Sequence, residues 1–162
     1  MSNFLILGDV HLGKSSPTNK SFANSFITAK LSDQVRLLNF VHDLAVEKYC
    51  ENIIITGDIF EEPRADTESL NIFSDWLKSC EHENINIHII MGNHDYLRIG
   101  STISTQLDIF SNFNNVSVYK TIDTIYINNT AITLIPFLDR RYLNCETINE
   151  AKEELKSLIN NE

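Results

Sequence analysis

Three times in the first hundred residues an apolar run ends in glycine followed at once by a side chain that hard cations bind: FLILGD (4–9), NIIITGD (52–58) and NIHIIMGN (86–93). Short apolar runs that stop at a glycine read as strands buried on both faces. Between the first two runs, residues 31–49 place Leu31, Val35, Leu38, Val41, His42 and Ala45 at helical spacing, with Asp33, Arg36, Asp43 and Glu47 elsewhere. A second helix is predicted from Thr67 to Cys80, with Leu70, Phe73, Trp76, Leu77 and Cys80 on one stripe. Strand, helix, strand, helix, strand predicts an α/β fold whose mostly parallel sheet is flanked by helices.

The pattern then changes. A short helix is expected near 103–111, followed by VSVY (116–119), TIYI (124–127) and AITLIPF (131–137) as an antiparallel meander at one edge, with Asn128-Asn129 turning between the last two. Residues 13–30 are rich in Ser, Asn and Thr and read mostly as an exposed loop. At the other end TINEAKEELKSLI opens with a capping-box pattern, Thr147 and Glu150, and sets Ile148, Ala151, Leu155, Leu158 and Ile159 on one face.

In parallel α/β sheets ligands bind outside the carboxyl ends of the strands, so Asp9, Asp58 and Asn93 are expected to face one crevice. His11 follows Asp9 by two residues and His94 follows Asn93. Taken singly, a D-x-H or a G-D turn is ordinary loop chemistry; three strand ends in order point to a metal site. Oxygen and imidazole donors in this mixture suit Mn²⁺, Fe or Zn²⁺ better than Ca²⁺. A carboxylate at the centre of such a set can bridge two ions, which clamps a phosphate ester and activates water. His42, His82 and His88 have no partner motif and read as core or surface histidines.

With 162 residues, 43% of them hydrophobic, the chain reads as one domain over 1–162. A net charge of −9 argues against a broad electrostatic footprint for nucleic acid, so a phosphate-bearing substrate needs metal ions or a few placed cations. Cys50, Cys80 and Cys145 form no C-x-x-C pair and read as reduced thiols. No apolar run approaches the roughly 18 residues of a membrane span, which predicts a cytoplasmic protein with no membrane partner.

GDVHLG, GDIFE and GNHD, at these spacings, resemble the first motifs of the calcineurin-like metallophosphoesterases. The Leu-Gly after His11 and the Ile-Phe after Asp58 are similar to the double-strand-break repair nuclease branch, the SbcD-type exonuclease subunits of bacteria and phage, and LIPFLDRRYL (134–143) is similar to a segment those nucleases carry downstream. The resemblance implies that Asp9 and His11 hold a first metal, that Asp58 bridges, that Asn93 binds a second metal and that His94 is the catalytic histidine. It implies Glu61 as the carboxylate that orients His94, a longer side chain than the aspartate usual in the family. Asp95 is expected to hold the turn by bonding nearby amides. The family completes its site with a Gly-His and a His-x-His motif that have no counterpart here, so the fold is expected to be incomplete at the C-terminus, the metal affinity weak and the catalysis of residues 1–162 feeble.

The resemblance further implies a Mn²⁺-dependent DNA exo/endonuclease of a repair or recombination complex, working with DNA and an ATPase of the structural-maintenance type. Lys14, Lys20 and Arg98 are then candidates for contacts to backbone phosphates. The alternatives are a half-site module acting through protein contacts, with self-association expected at an open sheet edge, and a small-molecule phosphoesterase.

Overall fold

The computed structural model describes residues 3–13, 23–99, 102–138, 143 and 145–160. Its centre is a four-stranded sheet formed by β1 (Phe4–Leu7), β2 (Asn52–Ile55), β3 (Asn86–Ile90) and β6 (Val116–Tyr119), side by side in that order and parallel throughout. The predicted parallel α/β sheet is thus present. Residues 116–119, expected in an antiparallel meander, instead pair parallel to β3, Ile87 opposite Val116. Their alternation reports burial on one face, not strand direction; the direction is set by the crossover that precedes them. That crossover consists of a small hairpin, β4 (Leu97–Ile99) with β5 (Thr102–Ser104), and a 3-10 helix over Gln106–Asn112 in place of the predicted short helix. Thr105 caps the 3-10 helix, its hydroxyl accepting from the Leu107 amide at 3.2 Å.

Two helices cover one face of the sheet. The first, α1, runs Ala23–Glu47, so residues 23–30 of the expected loop are helical, whereas 14–22 lie outside the described residues. Leu31, Leu38, Val41 and Ala45 of α1 are buried with Ile53, Ile55, Ile87 and Ile89 of the sheet. The second, α2 (Thr67–His82), adds Phe73, Trp76, Leu77 and Cys80. Asp66 caps it, accepting from the Ser69 amide at 3.0 Å, and the Trp76 indole N–H donates to the Leu38 carbonyl at 2.7 Å, tying α2 to α1. Cys50, Cys80 and Cys145 are free thiols, and burial pushes the Cys80 thiol up to about 12.

The opposite face is covered by a β-hairpin, β7 (Asp123–Ile127) with β8 (Thr130–Leu134), turning through Asn128-Asn129 as the sequence suggests. Ile127 and Leu134 pack on Ile54 and Ile90. Phe4 of β1, an edge strand among the described residues, packs against the same cluster, whereas Ile6 remains 65% exposed. The last helix, α3 (Ile148–Asn160), begins with the reciprocal capping bonds between Thr147 and Glu150.

Beneath the hairpin, His88 bridges three strands. Its Nε2 lies 3.1 Å from Asn52 Oδ1 and its Nδ1 3.0 Å from the Tyr119 hydroxyl. An amide oxygen only accepts, so Nε2 carries the proton and Nδ1 accepts from Tyr119. Burial holds His88 below the usual imidazole range. The unfolded chain therefore takes up this proton first as pH falls: the stability linked to neutral His88 is complete above about 6.5 and declines below it, by at most about 1.4 kcal/mol per pH unit. Urea midpoints at pH 7.5 and 5.5 should show wild-type protein losing more stability than His88→Gln. Equal losses would remove His88 as the cause.

Candidate metal centre

The site lies where β1, β2 and β3 end together, with Leu7 opposite Ile55 and Ile55 opposite Ile89. Past the strands the first two loops stay zipped: the His11 amide donates to the Asp58 carbonyl at 2.9 Å, Leu12 to Ile59 at 2.7 Å and Glu61 back to Leu12 at 3.1 Å. Leu12, Ile59 and Phe60 are buried beneath this zipper. The apolar residues of each motif thus anchor the loops in the core and leave the interleaved polar residues at the rim.

Asp9, His11 and Asp58 each offer a donor atom, and these atoms lie within 4.8 Å of one another. Metal bonds to such donors are about 2.0–2.2 Å, which puts opposite donors on one ion slightly over 4 Å apart. Two carboxylates and an imidazole at this separation fit a divalent transition metal. All three residues have left-handed backbones, with φ of 52°, 46° and 53°. Non-glycine residues held there store about 1–3 kcal/mol each, less for Asp and His, and such strain gathers at functional sites.

The third loop is fixed to the second. Asp95 is buried, and its carboxylate accepts from the amides of Gly92 (2.9 Å), Asp58 (2.8 Å) and Ile59 (3.2 Å), the turn-holding role the sequence suggests. Burial raises its carboxyl against the pull of these donors. Asp58 in turn accepts from the His94 amide at 2.9 Å. His94 stands edge-on to His11, with ring centroids 4.9 Å apart, and its Nδ1 is 3.0 Å from the main-chain carbonyl of Glu61. That contact assigns the proton to Nδ1 and leaves Nε2 for other partners.

Glu61 thus meets His94 through its backbone, while its carboxylate pairs with Lys30 of α1 at 2.8 Å. The Lys30 hydrogen bond holds Glu61 below the ordinary carboxylate range, and the charges of Lys30, His11 and His94 add to it. Asn93 is exposed between Gly92 and His94. Lys14 and Lys20 lie outside the described residues, as does the side chain of Arg98, whose backbone pairs with Ile103 in the β4–β5 hairpin. Lys30 and, one turn on, Gln34 also reach the site from α1, and neither belongs to a sequence motif. The signal for Gln34 was available: the buried stripe of α1 runs Leu31, Gln34, Leu38, Val41, Ala45, and a polar residue interrupts it.

The fold and the site together define an α/β protein that presents hard-cation donors at the carboxyl ends of a parallel sheet. Over residues 2–157 the sequence matches the family model described as calcineurin-like phosphoesterase, and the chain belongs to that family. It is 26% identical over 89 residues to the DNA double-strand break repair protein Mre11 of Nanoarchaeum equitans, a match covering 55% of this chain and 22% of that protein. The solved Pseudomonas putida nuclease MPE aligns with a TM-score of 0.46 and 24% identity, over 78% of this chain and 50% of the nuclease. The chain therefore spans about a fifth of the curated relative's length and half of the solved nuclease. Among the described residues no helix is long and apolar enough to cross a membrane.

Proposed function

We propose that the chain is the metal-binding part of a phosphodiesterase that cleaves DNA, as the nuclease subunit of a repair or recombination complex. The observation that carries this reading is the convergence of Asp9, His11 and Asp58 beside His94. Divalent ions, Mn²⁺ in this reading and two in the full site with Asn93 as a further ligand, supply Lewis-acid polarisation of the phosphoryl oxygen and a lowered pKa for water. The protein's own groups do the rest. His94, fixed through Nδ1 by the Glu61 carbonyl, offers Nε2 to a phosphate or leaving oxygen and donates its proton there when charged. Asp58 holds the His94 main chain and the centre in one frame.

Similarity to a DNA double-strand break repair protein supports DNA as the substrate, and the resemblance of GDVHLG, GDIFE and GNHD to the repair nucleases implies an ATPase of the structural-maintenance type as the partner. Lys14, Lys20 and Arg98 are proposed as phosphate contacts, and replacing each should shallow the salt dependence of DNA binding by about one unit.

Mn²⁺ is expected to raise the melting temperature, because an ion that binds only the folded state stabilises it by RT ln(1 + [L]/Kd), about 2.7 kcal/mol at a hundredfold excess over Kd. Asp58→Asn should remove most of that shift. An unchanged melting curve at millimolar Mn²⁺ would instead favour a second reading, a module that acts through protein contacts. Exposed Ile6, Tyr126 and Ile148 support that alternative.

A further inference from the structure

Among the described residues the buried stripe of α1 carries one polar residue, Gln34, 8% exposed among leucines and a valine. A buried carboxamide must find partners for both its oxygen and its nitrogen. Gln34 finds them on one short piece of main chain: Oε1 accepts from the Gly13 amide at 3.2 Å, and Nε2 donates to the His11 carbonyl. The His11 and Leu12 amides donate to Asp58 and Ile59, and the Leu12 carbonyl accepts from Glu61. The peptides on either side of Leu12 are therefore gripped from two directions, by the neighbouring loop and by the helix. A carboxamide serves both groups with one side chain, its oxygen accepting from Gly13 and its nitrogen donating to His11.

We infer that Gln34 is a positioning residue for the metal centre: its carboxamide holds the His11 main chain in the left-handed conformation that brings the imidazole to Asp9 and Asp58. It meets neither the imidazole nor an ion. The φ of 46° at His11 is one that a histidine leaves when nothing enforces it. With the His11 carbonyl released, the backbone relaxes toward the ordinary basins and the ring swings out of the donor cluster. This role rests on the reading of the cluster as a metal site.

The test uses the full chain and Mn²⁺ alone, with free ion followed by its paramagnetic resonance signal. Gln34→Met keeps length and volume but makes neither bond; Gln34→Glu, titrated at alkaline pH where its carboxyl is ionised, keeps the acceptor for Gly13 and loses the donor for His11. Trp76→Phe is the control, because it removes a buried hydrogen bond to the same helix without touching residues 11–13. Both Gln34 variants are expected to weaken Mn²⁺ binding about 10–100-fold, the usual cost of removing a group that orients a ligand, and to change the visible spectrum of bound Co²⁺. Trp76→Phe should lower the melting temperature and leave the Mn²⁺ Kd unchanged. Wild-type affinity in Gln34→Glu, or equal loss in Trp76→Phe, overturns the positioning role while the metal site stands. No Mn²⁺ binding by the wild type overturns the metal reading and this role with it. If Gln34→Met does not fold, Gln34→Glu decides.

Discussion

A Gly57→Ala protein is expected to lose roughly 4 kcal/mol or more of stability, an exceptional cost for a single methyl group. A Cβ at Gly57 would lie 2.5 Å from Gly92 Cα, 2.6 Å from its nitrogen and 3.1 Å from the Ile90 carbonyl oxygen, on a residue whose φ is +93°. Every one of these atoms is backbone, so no side chain can turn aside, and relief requires the ends of β2 and β3 to separate. Asp95 ties those ends through the amides of Gly92, Asp58 and Ile59, so the displacement reaches Asp58 and His94. Metal affinity should fall with stability. Gly8→Ala is the comparison: its added Cβ meets mainly the Thr56 hydroxyl, at 2.6 Å, a small group that can rotate away. Urea unfolding should separate the two by a wide margin, and a Gly57→Ala midpoint equal to that of Gly8→Ala would refute the close-approach argument.

His94→Gln is expected to lower phosphodiester hydrolysis by about 10²–10⁴-fold while leaving Mn²⁺ binding near wild type. The separation follows from which part of His94 touches what. Its amide, retained in the variant, bonds Asp58 and keeps that carboxylate in place, whereas its imidazole alone provides the proton-bearing nitrogen. Asp58→Asn should lose both properties. Glu61→Gln should cost far less than His94→Gln, because the acceptor for His94 Nδ1 is the Glu61 main chain, which the substitution leaves in place. Rates on bis-p-nitrophenyl phosphate and on DNA ends, beside Mn²⁺ titrations of the same preparations, check all three. Full turnover in His94→Gln would end the role assigned to the imidazole, and a large loss in Glu61→Gln would shift that role toward the Glu61 carboxylate.

Much of the architecture was legible along the chain. The apolar runs ending at Gly8, Gly57 and Gly92 are the strands β1, β2 and β3, and the stripes at Leu31–Ala45 and Leu70–Cys80 are the helices that cover one face. Such patterns are local, set by the period of burial within one element. The start of α1 is not legible in the sequence, because its first turns are Ser-, Asn- and Phe-containing and lack a clear period. The β4–β5 hairpin leaves no sequence signal, because strands of three residues carry no alternation to read.

The sequence by itself determined which donor types stand at which strand ends, since a glycine followed by Asp or Asn after an apolar run ends the strand and exposes the next side chain wherever the strand is placed. It also determined that Asp9, Asp58 and Asn93 share one end of the sheet, because parallel strands joined by helices all finish on the same side. Only the tertiary structure decided what holds those donors. That residues 116–119 run parallel, that a hairpin rather than a helix covers the second face, that His94 leans on the Glu61 carbonyl, and that Lys30 and Gln34 reach from α1 to the two ligand loops are all meetings between segments far apart in the chain. A hydrogen bond to a main-chain carbonyl leaves no trace in residue identity, since every residue has one, and its partner is fixed only when packing brings the two segments together.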